Sequence, residues 1–401
     1  MALISLSTEH LRLCERLPFG LYDGNGLLLL PSGALLDDPN KLKTLKNKQL
    51  FVTDDEAGTF HRWMGETVER LVLKDATLKH IAQARFHAER TTATAAKPRS
   101  LTEVFELQMR TISVILRDAE PTPGWLQSLK DAAQHLRETA EQAPDALLFL
   151  LIQHASHEVD HYSAHHAVLC MLVSTQIARL LRWPQTEIDT LIAASITMNV
   201  AMTPLQDTLA RQRTALSAEQ RALVDKHALA STSLLAAAGV KDAHWLKAVR
   251  LHHDETLVQR RMDELDVGSR IARLLGMVDR FTAKISRRAG RAPLSPLIAA
   301  QKVCVRADGQ PDEVGGAMIR ALGMYPPGCY VRLANQEVGV VVARGPRSNE
   351  PVVAALVGSS GMALSEPVLR QTGSTARAVV EGVAVKDIRV RINQQRVLDL
   401  L

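Results

Sequence analysis

Cysteine is scarce in this chain, and what there is stands far apart. Cys14, Cys170, Cys304 and Cys329 include no Cys-x-x-Cys pair. That spacing excludes a disulfide framework and a cysteine-based zinc finger, and it suits a reducing compartment. A strong charge of one sign is also missing. The formal net charge is +5 over 401 residues, with basic residues interspersed among acidic ones, so no electrostatic footprint calls for DNA or RNA. Long apolar runs are absent too, since no stretch reaches the roughly 18 uninterrupted apolar residues of a membrane span. The start, Met1-Ala-Leu-Ile-Ser-Leu-Ser-Thr-Glu-His10, has neither the basic head nor the apolar run of a secretion signal. The expectation is a cytoplasmic protein without a membrane span. With 46% hydrophobic and 23% charged residues, it can bury a core of ordinary size.

The order of patterns along the chain suggests four parts. Residues 1–56 read as a small β module, with Asp23-Gly24-Asn25-Gly26 turning a hairpin between apolar runs. Residues 57–145 read as a helical connecting region, broken by loops at 91–100 and 121–124, where small residues, Pro and Gly collect. Residues 146–320 carry successive amphipathic helices with no strand pattern between them. After Tyr325-Pro-Pro-Gly328 the period becomes two, as in Val338/Val340 and Ile388/Val390/Ile392, with Asn335-Gln336 at a turn. Residues 321–401 therefore read as a C-terminal β domain.

Chemistry concentrates in the third part. Nine of the 14 histidines, at 154, 157, 161, 165, 166, 227, 244, 252 and 253, fall within one quarter of the chain. His166 shares a three-and-four spacing with Leu169, Val173, Ile177 and Leu180, so it points inward, whereas His165 is rotated by about 100°. On the next helix, over 187–202, Met198 and Asn199 fall on or beside the apolar stripe with Met202. Ser217-Ala-Glu-Gln220 has the form of a capping box, opening a helix on which Leu223, His227, Ala230 and Leu234 share a face. His252 and His253 can reach one site only where their helix ends. Asp279 lies among Leu274, Leu275 and Val278, an odd place for a lone carboxylate. Any single inward histidine is more often a core residue than a ligand. Met198 and Met202 read as core fillers.

Taken in order, these residues resemble the HD-GYP family of bacterial signalling phosphodiesterases. Tyr162-Ser-Ala-His-His166 is similar to that family's Tyr-Thr-x-x-His. Ala193 to Met202 aligns with its apolar-His-Asp-x-Gly-Lys segment, and Leu216-Ser-Ala-Glu-Gln220 precedes His227 as the family's Leu-Thr-x-Glu precedes a histidine. His252-His253-Asp254 resembles His-His-Glu, and Val278-Asp279-Arg-Phe-Thr-Ala followed by Ser286-Arg-Arg288-Ala-Gly-Arg291 resembles the family's closing segment. The weaker likeness of the flanks covers Leu17 to Asp23 and Gly323 to Leu333.

The resemblance implies a mainly α fold: an HD-superfamily helical bundle with a small N-terminal β module, a helical connecting region and a C-terminal β extension. It implies metal ligands at His166, His227, His252, His253 and Asp279, and phosphate contacts at Arg288 and Arg291. The departures from the family are as informative. Met198 and Asn199 stand where the family has the His–Asp doublet, whose aspartate bridges two metals and offsets their repulsion. A thioether and a neutral amide do neither. Met202 replaces a phosphate-contacting lysine, and no Gly-Tyr-Pro follows His253. The expectation is a degenerate, catalytically silent member acting in cyclic di-GMP signalling through the nucleotide or other signalling proteins. It would hold one divalent ion (Mn, Fe, Mg or Zn) or none. The alternative is an active phosphodiesterase with an atypical one-metal site, since three or four such ligands suffice for a single ion.

Overall fold

The structure, a computed structural model, describes residues 3–6, 8, 11, 15–53, 56, 59–60, 100–305, 309–310 and 312–401. Cys14 and residues 61–99, which include the first part of the expected connecting region and nearly all of its loop at 91–100, lie outside the described residues. The chain falls into two compact units. One takes Met1–Arg99, Glu106–Ala132 and Ala237–Gly239, the other Ser100–Phe105, Ala133–Ala236 and Val240–Leu401. The fold class is mainly α, with small sheets near each end.

In the first unit, strands β1 (Leu3–Leu6), β3 (Leu21–Tyr22), β4 (Leu28–Leu30) and β6 (Leu50–Thr53) form an antiparallel sheet of order β1-β6-β3-β4. The hairpin expected at Asp23–Gly26 joins β3 to β4, where the Asp23 carboxylate accepts from the amides of Asn25 and Leu27. Strands β2 (Glu15–Arg16) and β5 (Leu35–Leu36) pair beside it. Leu17, Phe19, Leu21, Leu30, Leu50 and Phe60 fill the core beneath. Helix α1 (Pro39–Lys46) is capped by Asp38. Helices α2 (Leu101–Arg117) and α3 (Pro123–Gln142) follow, separated by the expected break near Pro121.

The second unit is built around α5 (Tyr162–Leu180), which is buried along nearly its whole length and on every side. Around it pack α4 (Pro144–His157), α6 (Gln185–Thr197), α7 (Thr203–Arg211) and, further along the chain, α10 (Val267–Ile285). Helix α8 (Ala218–Ala237) begins at the reciprocal capping box expected from the sequence: Ser217 N donates to Gln220 Oε1, and Gln220 N donates to Ser217 Oγ. Helix α9 (Ala243–Leu251) is capped by Asp242 and packs on α10 and α6. Helices α11 (Pro296–Val303) and α12 (Glu313–Leu322) lead into the C-terminal sheet. Buried Arg273 of α10 bonds Asp312 and Glu313 at the start of α12.

That sheet joins β7 (Tyr330–Leu333), β8 (Val338–Ala343), β9 (Val352–Val357), β10 (Ala363–Gln371) and β11 (Val379–Val383) in the antiparallel order β10-β9-β8-β7-β11. Gln336 turns the β7–β8 hairpin in a left-handed conformation. Gly328 lets the chain pass against α4, because a Cβ there would stand 2.8 Å from the Phe149 carbonyl and from the Ile152 side chain. A short helix, α13 (Gln394–Leu398), closes the described chain.

Four expectations need correction. The helix expected over 187–202 ends at Thr197; a 3₁₀ turn (Val200–Met202) and α7 follow. Pro204 stands in the first turn of α7, where a proline without an N–H starts a helix but cannot continue one. On α8 the inward stripe is His227, Ser231 and Leu235, while Leu223 is 58% exposed and Ala230 faces solvent. His165 is buried as well as His166, because α5 has no solvent face. The alternation Ile388/Val390/Ile392 lies outside any strand. The segment Gln185–Arg211 does have the length and apolarity of a membrane span, with mean hydropathy 1.3. It is nonetheless two helices with a break between them, and α6 is packed against α5 and α9.

Candidate metal centre

Helix α9 carries the first part of the site. The Asp242 carboxylate accepts from His244 N and Trp245 N and fixes the helix start, and Trp245 Nε1 donates to Thr197 Oγ1 of α6 at 2.8 Å. The helix stops at Leu251, so His252 and His253 diverge from the axis toward one place. Gly276 of α10 permits this approach: a Cβ there would stand 2.0 Å from the His252 carbonyl oxygen. No other residue fits at that crossing.

His227 meets His252 from α8. Their Nε2 atoms are 3.2 Å apart. His252 Nδ1 lies 2.7 Å from the Val249 carbonyl, and His227 Nδ1 bonds the Val224 carbonyl. A carbonyl only accepts, so each ring carries its proton on Nδ1. Burial, with His253 beside it, brings His252 down to about 3, and burial also lowers His227. Both rings are therefore neutral near pH 7, and two bare Nε2 lone pairs confront each other in a nearly dry place. Imidazoles at about 2.0–2.1 Å on a tetrahedral ion would have nitrogens about 3.3 Å apart, close to what is seen. A backbone carbonyl on the far nitrogen is also the usual way a metal-binding histidine is oriented. His253, exposed, completes a group of three whose ligand atoms lie within 4.8 Å of one another.

His166 and Asp279 make a second contact near this group, Asp279 lying one turn beyond Gly276 on α10. His166 Nε2 is 2.8 Å from Asp279 Oδ1, and Cys170 Sγ is 3.6 Å from the same nitrogen. Burial opposes a charge on His166, but Cys170 and Asp279 outweigh it and hold the imidazole well above the usual histidine range. Burial likewise opposes charge on Asp279, yet its bond to His166 holds it below the usual carboxylate range. The two form an ion pair, with His166 2% and Asp279 14% exposed at their side chains.

The five expected ligands thus divide into an imidazole group (His227, His252, His253) and an ion-paired group (His166, Asp279), which the second shares with Cys170. Met198 is 1% exposed at the end of α6, Asn199 is buried just beyond with Oδ1 lacking a hydrogen-bond partner, and Met202 is half-buried. Arg288 is held by Tyr162: its guanidinium donates to the phenol oxygen at 3.1 Å and stands 5.2 Å over the ring. Tyr162 in turn stacks on His166. Arg291, exposed, bonds the Ala283 carbonyl, and the backbones of the two arginines pair. Sequence reasoning missed Cys170, Gly276 and Thr282. Cys170, one turn after His166 on the same stripe, had a legible spacing.

Comparison with family models and with curated proteins finds no match for this chain. Among solved structures it is similar to Bd1817, an HDG"Y"P protein from Bdellovibrio bacteriovorus, at 15% identity, 79% coverage of this chain, 98% coverage of that one, and a TM-score of 0.44.

Proposed function

We propose that the helical unit is a degenerate HD-GYP-type scaffold that retains an imidazole cation site, has lost two-metal hydrolysis, and acts by binding in cyclic di-GMP signalling. The observation that carries this reading is the pair Met198–Asn199. Buried at the break between α6 and α7, these residues offer no negatively charged oxygen to hold two dications together. His227, His252 and His253 supply three neutral nitrogens, enough for one ion. A nucleotide phosphate would be met by Arg288 or Arg291, which suit bidentate contact, once they leave Tyr162 and the Ala283 carbonyl. Protein partners are the other class of ligand in this reading.

Elemental analysis and equilibrium dialysis test it. The purified chain is expected to take up a divalent ion that His252→Ala abolishes, and to bind cyclic di-GMP without consuming it. Binding lost in an Arg288→Ala, Arg291→Ala double variant supports the nucleotide arm; unchanged or absent binding leaves a protein adaptor. The double change Met198→His, Asn199→Asp is expected to restore a bridged metal pair. A second reading, a one-metal phosphodiesterase, draws on the exposure of His253, which leaves the imidazole group open on one side. It requires turnover that depends on His252.

A further inference from the structure

Helix α8 turns polar groups inward and apolar ones outward. Its inner stripe is His227, Ser231 and Leu235, while Leu223, Lys226, Leu229, Ala230, Ser233 and Ala236, at spacings of one, three and four, share an exposed outer face. We propose that this outer face is the interface of a symmetric homodimer, in which α8 packs antiparallel on α8 of a second copy of this chain. The inference goes beyond the cation reading and does not depend on it.

Water is a poor neighbour for this face. Leu223 is 58% and Leu229 56% exposed, and between Leu223 and Ala236 the face carries a single charge, Lys226. A helix at a protein surface ordinarily sets its charged residues on that side. From Leu223 to Ala236 the face runs about 20 Å. Two such faces bury on the order of 1,000 Å², the size at which a specific, weak association begins.

The face is complementary to itself, which is the reason to assign it a second copy. Its bulk lies toward the N-terminal end of α8 and its small residues toward the C-terminal end. An antiparallel two-fold between Leu229 and Ala230 matches the two. Leu223 then meets Ala236 of the partner subunit, and Leu229 meets Ala230 of the partner subunit. Each contact is made twice, as an isologous interface requires. Leucine ridges facing alanine gaps let helices approach to about 8–10 Å between axes. Lys226 meets Ser233 of the partner subunit, so no like charges are opposed. A parallel pairing would set lysine against lysine, a repulsion that selects the antiparallel arrangement.

The test is sedimentation velocity of the full chain with a chelator present, over concentrations reaching about 100 µM, where an interface of this size should associate. Expected is a monomer–dimer equilibrium. Leu229→Glu, which sets two carboxylates beside the two-fold, should weaken it at least about tenfold. Ser233→Glu, facing Lys226 of the partner subunit, should tighten the dimer about threefold, and Ser233→Lys should weaken it by about as much. A chain that stays monomeric throughout overturns the proposal, as does a dimer indifferent to Leu229→Glu. Should Leu229→Glu fail to fold, the two Ser233 variants decide: opposite responses support the antiparallel interface, and like responses overturn it.

Discussion

The two donor groups differ in whether they are complete without a metal. His166 and Asp279 answer each other as an ion pair, and Cys170 bonds the Thr282 hydroxyl. His227 and His252 point Nε2 atoms at each other across 3.2 Å, and with both ring protons on Nδ1 neither donates to the other. The first group therefore contributes to holding α5 and α10 together, while the second gains its natural partner only from a cation in the reading proposed above. If the proposed reading holds, stability and ligand affinity reside on different residues, and each can be changed without the other.

The comparison breaks most sharply at Asp279. Asp279→Ala leaves His166 without its partner in the interior and is expected to cost about 3–5 kcal/mol in urea unfolding. A loss below about 1 kcal/mol would show that the pair is not structural. Gly276→Ala drives a methyl into the His252 carbonyl and is expected to cost about 3 kcal/mol, the upper part of the overpacking range, with cation uptake lost as α9 moves off α10. Uptake unchanged in that variant would detach the imidazole group from this crossing.

A smaller effect belongs to the C-terminal sheet, away from both groups. Arg370, with Asn335, holds the Glu337 carboxyl down at about 2, against an ordinary value near 4.5. A depressed carboxyl gives stability that is present above the unfolded pKa and lost as pH falls toward the folded one, so the loss is expected between about pH 4.5 and 2. Glu337→Gln should cost about 2 kcal/mol at pH 7 and flatten that acid limb in thermal melts. The smallest effect is at His253. As an exposed ligand, His253→Ala should leave stability within about 0.5 kcal/mol while weakening cation binding measured by calorimetry, the reverse of Asp279→Ala.

Much of this arrangement was legible in the sequence, and the failures have physical causes. The end of α9 at His252 and the capping box at Ser217 follow from local rules, and both are found. On α8 the stripe was misjudged because its inner face is His227, Ser231 and Leu235, while Leu223 and Leu229 are exposed. Hydrophobic periodicity misplaces a helix whose buried side carries polar groups. On α5 periodicity could not separate His165 from His166, since both are buried; His165 stacks on His154 with ring centroids 3.3 Å apart. Cys170 reads as core filling until the fold brings Asp279 beside it. Ile388, Val390 and Ile392 alternate as a strand would, but alternation specifies a face and not a partner.

The account turns on the missing negative oxygen at position 199, and hydrolysis reports it most directly. Protein loaded with Mn²⁺ or Fe²⁺ should be incubated with cyclic di-GMP and the products resolved by chromatography. No turnover above that of the metal salts alone is predicted. Turnover that His252→Ala abolishes would contradict the account and make this chain a working phosphodiesterase.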